Sequence, residues 1–160
     1  MKVINHKEIS LLTSILKDAS NIDYLQKTSQ LLDDLHELPQ LDLPIFDHFA
    51  PNVYMRQMDA PAGSLVVSKI HKTEHFNILI KGSLTIMTND GVKHLQAPLI
   101  IKSDAGTRRV GYFHEDSSWI TIHPTELTNV SEIEKEIIMS EDEMKEALSS
   151  MDNGGGLCHG

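Results

Sequence analysis

Eight short runs between residues 52 and 124 set the strongest limit on what this chain can fold into: "NVYMRQM", "SLVVSKIH", "HFNILIKG", "SLTIMT", "VKHLQA", "LIIKS", "TRRVGYF" and "WITIHP". Most are rich in β-branched or aromatic residues, and turn signals such as "DAPAGS", "NDG", "DAG" and "HEDSS" stand between them. Side chains alternate across a strand, so runs of this kind bury one face and leave the other wet. Asp90 before Gly91 is a hairpin signal, and Pro98 opens a strand instead of interrupting one. Short strands at such regular spacing, with no helix between them, predict an all-β sandwich or barrel; a double-sheet jelly roll fits the count.

Helical patterns flank this block. Asn5 with Glu8 reads as a capping box, followed by Ile9, Leu12, Ile15 and Leu16 on one face. Ser20 with Asp23 starts a second helix, whose stripe of Leu25, Leu32 and Leu35 is widened by Leu31 and Leu38 until Pro39 and Pro44 stop it. "LPQLDLP" is then a linker. Past residue 126, "TNVSEIEKEII" and "SEDEMKEAL" read as two acidic amphipathic helices, with Val130, Ile133 and Ile137 as the apolar stripe of the first and Ser140 capping the second. The expected organisation is a helical extension and linker over 1–50, a β-barrel over 51–125, helices over 126–151 and a flexible Gly-rich tail over 152–160.

Charge narrows the partners. Residues 1–50 carry a net −4, residues 51–123 a net +2 and residues 124–160 a net −7, which together make the formal −9 of the chain. An acidic protein with a mildly basic centre lacks the broad basic face that duplex nucleic acid needs, while a small anion in a local basic pocket remains open. No apolar run approaches a membrane span, and the start "MKVINHKEIS" lacks a signal-peptide core, so a cytoplasmic protein without membrane attachment is expected. The single cysteine, Cys158, lies beside His159 in "NGGGLCHG", which excludes a disulfide framework or a cysteine-based zinc module.

Two runs carry ionisable groups among apolar ones. Alternation along "SLVVSKIH" puts Leu65, Val67, Lys69 and His71 on one face. On "WITIHP", Trp119, Thr121 and His123 share a parity and can point inward together. His94 and His114 lie on a different hairpin and in a turn. No serine nucleophile elbow, phosphate-cradling glycine loop or His-Glu-x-x-His occurs, which leaves hydrolase and kinase readings without a foothold.

These residues resemble the cupin superfamily. Its first motif runs glycine, five residues, His-x-His, three or four residues, glutamate, six residues, glycine, and the spacing is met by Gly63, Lys69, His71, His75 and Gly82. Lys69 stands at the first histidine position, His71 at the second, and His75 at the glutamate position. The second motif maps onto residues 104–109, with Arg109 replacing its histidine. The resemblance covers residues 53–123 and implies a mainly β, cupin-like double-stranded β-helix, a jelly-roll barrel with an N-terminal helical pair and C-terminal acidic helices. "EHFNILIKG", "DAGTRRVGY" and "WITIHPTE" also look like small cupin-like proteins encoded by bacteriophages, which implies residence in the host cytoplasm and an action on host metabolism or defence.

Three functions follow as expectations. The first is capture of a small anion, nucleotide-like, sugar-phosphate or carboxylate, in a pocket made by Lys69, His71, His75, Arg109, Trp119, Thr121 and His123. Two cations inside low-dielectric walls would favour it, with Arg109 adding planar recognition. The second is a metal-dependent cupin enzyme holding a divalent zinc, iron, manganese or nickel ion through His71, His75 and His123, with Lys69 or Glu74 as candidate catalytic proton-transfer groups. The third is a scaffold or inhibitor acting on a host protein through its helices. A homodimer or higher homo-oligomer is the expected assembly, two-fold dimers being the commonest. Lys69 reaching solvent, Arg109 pairing with Glu115 or Asp116, and His123 capping its strand are the plainer roles open to the same residues.

Overall fold

The β-runs pair into two antiparallel sheets whose apolar faces meet, in a computed structural model that describes Lys7, Leu12, Ile15, Leu16 and residues 19–155, the side chains at 19, 20 and 152–155 excepted. In chain order the strands are β1 (Ile45–Ala50), β2 (Val53–Ala60), β3 (Leu65–Val67), β4 (Ile70–His71), β5 (His75–Lys81), β6 (Ser83–Thr88), β7 (Gly91–Gln96), β8 (Leu99–Ser103), β9 (Val110–Phe113), β10 (Ser117–Pro124) and β11 (Ile138–Met139). Helix α1 spans Ala19–His36, α2 Val130–Ile137 and α3 Glu141–Gly155. One sheet has the order β1-β2-β10-β5-β8, the other β3-β9-β6-β7, and β11 pairs with β4. Late strands inserted between early ones, β10 between β2 and β5 and β9 between β3 and β6, give the Greek-key crossing of a jelly roll. The jelly-roll barrel expected from the strand count and the cupin motifs is the fold observed.

Three apolar clusters hold it. Between the sheets, Leu79 faces Leu84, Ile86, Leu95 and Phe113, all buried. Ile70 and Met139, on the small β4–β11 pair, join Leu12, Leu16, Leu25 and Met144 in a second cluster that fastens the helices to the barrel. Tyr54 packs with Ile133 and Ile137 of α2 in a third. Each fully buried side chain of this size contributes roughly 1.5–3 kcal/mol. The helix starts follow the chain locally: the Asn129 side chain accepts from the Glu132 N–H at 3.1 Å, and Ser140 and Glu143 form a reciprocal capping box at 3.0 and 3.3 Å.

The structure departs from the sequence reading in four places. Residues 45–50, expected as linker, form β1 and pair with β2 from Ile45↔Met58 to Ala50↔Val53, so the barrel begins before residue 51. "SLVVSKIH" is not one strand but two, broken at Ser68 and Lys69 because β3 pairs with β9 while β4 pairs with β11. Val66, not Leu65, therefore packs on the inter-sheet core, and the break restores His71 to the inside. The α3 backbone continues to Gly155, into the stretch expected as tail. The Asn5–Glu8 capping box, Ile9, Cys158 and His159 lie outside the described residues, and the four described positions before residue 19 are helical. No described helix is long and apolar enough to cross a membrane.

Candidate functional site

Cross-strand register arranges the inner face of the five-stranded sheet into rows of rising polarity. Trp119 on β10 sits between Met58 and Leu79, Thr121 between Arg56 and Asn77, and His123 beside Tyr54. The facing wall comes from Val66 on β3, Leu84 and Ile86 on β6, and the alternating series Arg109, Gly111 and Phe113 leading through β9. Between the walls lies a cavity of about 260 Å³. Lys69, His71, His75, Arg109, Trp119 and Thr121 all line it. His123 stands behind the lining, 1% exposed, with its ring centroid 4.8 Å from His75 and 5.0 Å from His71. Glu74 does not join them; its carboxylate is exposed and paired with Lys102 at 3.2 Å.

The three imidazoles are neutral. Burial, reinforced by His75, His123 and two arginines, lowers the His71 pKa to about 2. Burial and then His75 lower that of His123 to about 4, and burial also lowers His75. His75 Nδ1 donates to the Thr73 carbonyl at 3.1 Å, which places its proton there and leaves Nε2 as the bare nitrogen. His123 Nδ1 is buried without a hydrogen-bond partner.

Three neutral imidazoles are a donor set that a first-row metal accepts, yet the arrangement does not fit one. Metal ligands must aim in-plane lone pairs at a common point about 2.0–2.1 Å away. Here the His71 and His123 planes lie 17° apart in a stack, and Arg109 and Arg56 add positive charge beside the rings. Among the described residues no group of three or more His, Cys, Asp or Glu side chains is arranged to hold a metal ion.

The cations divide into compensated and uncompensated. Lys69 is at the rim, more than half exposed, with its ammonium 3.2 Å from Glu134. The same carboxylate accepts from Arg56 at 2.8 Å, and Arg56 also approaches Asp47 at 3.6 Å, so two cations meet two carboxylates. Arg56 Nε donates to the Tyr54 hydroxyl at 2.9 Å, while that hydroxyl donates to Asp47. Burial and the Asp47 bond push the Tyr54 pKa up to about 12. Arg109 is different. Its backbone N–H donates to Ser68 Oγ at 2.8 Å and its guanidinium lies 5.8 Å from the Trp119 ring centre, but it makes no ion pair among the described residues, and its Nε is buried without a partner. Asp116, offered as its mate by the sequence, instead accepts from the Ala62 N–H at 2.9 Å. Burial lowers the Arg109 pKa, but a guanidinium stays charged at any working pH.

Sequence reasoning missed Arg56 and Glu134. Alternation along "YMRQM" puts Arg56 on the face of Tyr54 and Met58, which was the available signal. Glu134, on a helix 78 residues away, left no local sign.

No protein-family model matches the chain, and no curated protein matches it in sequence. Solved structures of similar shape include a cupin-2 domain protein from Shewanella frigidimarina, 17% identical with a TM-score of 0.42, over 59% of this chain and 92% of that one. KdgF from a Halomonas species is 12% identical with a TM-score of 0.46 over 56% and 91%. EutQ from Clostridium difficile is 13% identical with a TM-score of 0.46 over 61% and 74%.

Proposed function

We propose that the barrel is a binding module that captures a small anion through Arg109. The observation that carries this reading is the Arg109 guanidinium, set in the cavity wall with an unpartnered Nε and, among the described residues, no carboxylate paired with it. A buried, unpaired donor costs about 1–3 kcal/mol, more when charged, and a carboxylate or phosphate oxygen removes that cost with a charge-assisted bond. Binding is favoured over turnover because His71 and His123 are poor proton acceptors at neutral pH and Glu74 lies outside the cavity. Action through free helices is disfavoured, since Leu12, Leu16, Leu25 and Met144 already pack on Ile70 of the barrel. A viral gene for such a module would act by withdrawing a host metabolite; the binding itself does not depend on that origin.

A thermal-shift panel of small carboxylates and phosphates tests the reading. At least one anion should raise the melting temperature of the wild type, leave Arg109→Ala unmoved, and act equally with a chelator present. No shift from any anion, or an equal shift in Arg109→Ala, contradicts it. Near-stoichiometric transition metal by elemental analysis, with binding abolished by the chelator, would favour the metal-dependent enzyme instead.

A further inference from the structure

We infer that the ligand is a monocarboxylate with an apolar body, an aromatic acid or a medium-chain aliphatic acid, and not a sugar phosphate or nucleotide. This rests on the anion reading and adds the chemical class. Three features of the cavity carry it.

Charge comes first. Arg56 and Lys69 are matched by Glu134 and Asp47, so Arg109 is the one cavity cation left uncompensated among the described residues. One planar cation matches one carboxylate, whereas a phosphate monoester brings close to two negative charges.

Part of the cavity's polar lining is already engaged, leaving His75 Nε2, the His71 ring and the Thr107 and Thr121 hydroxyls open. Asn77 Nδ2 donates to Ser103 Oγ at 2.6 Å, Ser68 Oγ donates to the Lys69 carbonyl at 3.2 Å while accepting from Arg109, and His75 Nδ1 is held by Thr73. A ribose or hexose brings several hydroxyls around its ring, and those turned to the apolar wall of Met58, Val66, Leu84, Ile86 and Phe113 would lose water without replacement, each at a cost.

Shape and lining come third. Beyond Arg109 the cavity is walled by Met58, Val66, Leu84, Ile86, Phe113 and Trp119. Gly111 keeps this end open: a Cβ on it would stand 3.3 Å from Leu84 Cδ1 and 3.9 Å from Ile86 Cγ2. An engineered cavity of about 150 Å³ lined by Leu, Ile and Phe holds benzene. The 260 Å³ here takes a ring or a short chain with its carboxylate arm reaching the guanidinium.

Calorimetric titration with matched probes decides the class. Phenylacetate and hexanoate should bind the wild type. Phenylacetamide, which keeps the body and loses the charge, should bind about 10- to 100-fold more weakly, as should acetate, which keeps the charge and loses the body. Gly111→Val should weaken phenylacetate about tenfold or more by filling the apolar end, with its circular dichroism and melting curve reporting that the fold is intact. Glucose 6-phosphate or adenosine monophosphate binding tighter than both acids, and lost in Arg109→Ala, would overturn the class while leaving the anion reading in place. No binding by any probe, or acid binding unchanged in Arg109→Ala, would overturn both.

Discussion

His71, His75 and His123 stand where imidazoles would gather around a metal, but their chemistry here is that of a neutral, buried cluster, with one ring pair stacked and two tilted. Neutrality has a pH signature whose sign is fixed. Between the unfolded value of 6.5 and the folded values, about 4 for His123 and about 2 for His71, the unfolded chain binds protons that the folded one refuses. The stability these rings support is complete above 6.5 and lost as pH falls through that window, at up to roughly 1.4 kcal/mol per pH unit for each ring. Urea unfolding at about pH 7, 5.5 and 4.5 should show the fall, and His71→Gln should make it shallower; an unchanged slope in that variant would refute the assignment. Much of this site was legible residue by residue. The motif spacing found His71 and His75, the strand parity found His123, and Arg109 was singled out as a cation where a ligand was expected. Lys69 was legible as a position but not as a charge, because its partner Glu134 comes from α2.

Glycines at the element junctions separate two meanings of one motif. Gly63 and Gly82 both have positive φ, at +85° and +92°, but only Gly82 is crowded: a Cβ there would lie 2.7 Å from the Asp116 carbonyl and collide with Ser117. Gly82→Ala should therefore destabilise by several kcal/mol and Gly63→Ala by only about 1 kcal/mol, the left-handed backbone term alone, both read from melting curves and denaturant titration. Equal losses would mean that the β5–β6 corner is looser than it looks. Helix α2 makes a different contribution, because Glu134 sets how much positive charge the cavity mouth shows. Glu134→Gln should cost little stability, its bonds being partly exposed, yet release Arg56 and Lys69 and raise phosphate affinity relative to carboxylate; an unchanged ratio by calorimetry would remove α2 from selectivity. Strand β1 escaped the sequence because all six of its residues are exposed on an edge, leaving no alternation to read. The β3–β4 break escaped because its cause is the pairing of β4 with β11, 67 residues apart at Ile138↔His71, a tertiary choice that no turn residue announces.

Across the whole molecule, the uneven charge of the sequence becomes a set of fastenings. The acidic last segment, net −7, supplies Glu134 to Arg56 and Lys69, Glu141 to Arg108, and Glu143 to Lys72 at 3.0 Å. Arg108 is 1% exposed, so removing its partner leaves a charge in the interior. Glu141→Ala should cost about 3–5 kcal/mol in denaturant unfolding, whereas Glu74→Ala, which breaks the exposed pair with Lys102, should cost less than about 1 kcal/mol; similar losses would show that α3 is not locked through Arg108. Arg109 is the cavity cation that this network leaves free, and the account of function stands on it. Its side-chain N–H gives the most direct reading. In nitrogen-edited proton spectra of arginine side chains, the Arg109 Nε–H signal, assigned by its loss in Arg109→Lys, should move downfield and saturate as phenylacetate is added, following the calorimetric binding curve. Saturated binding with that signal unmoved would contradict the account.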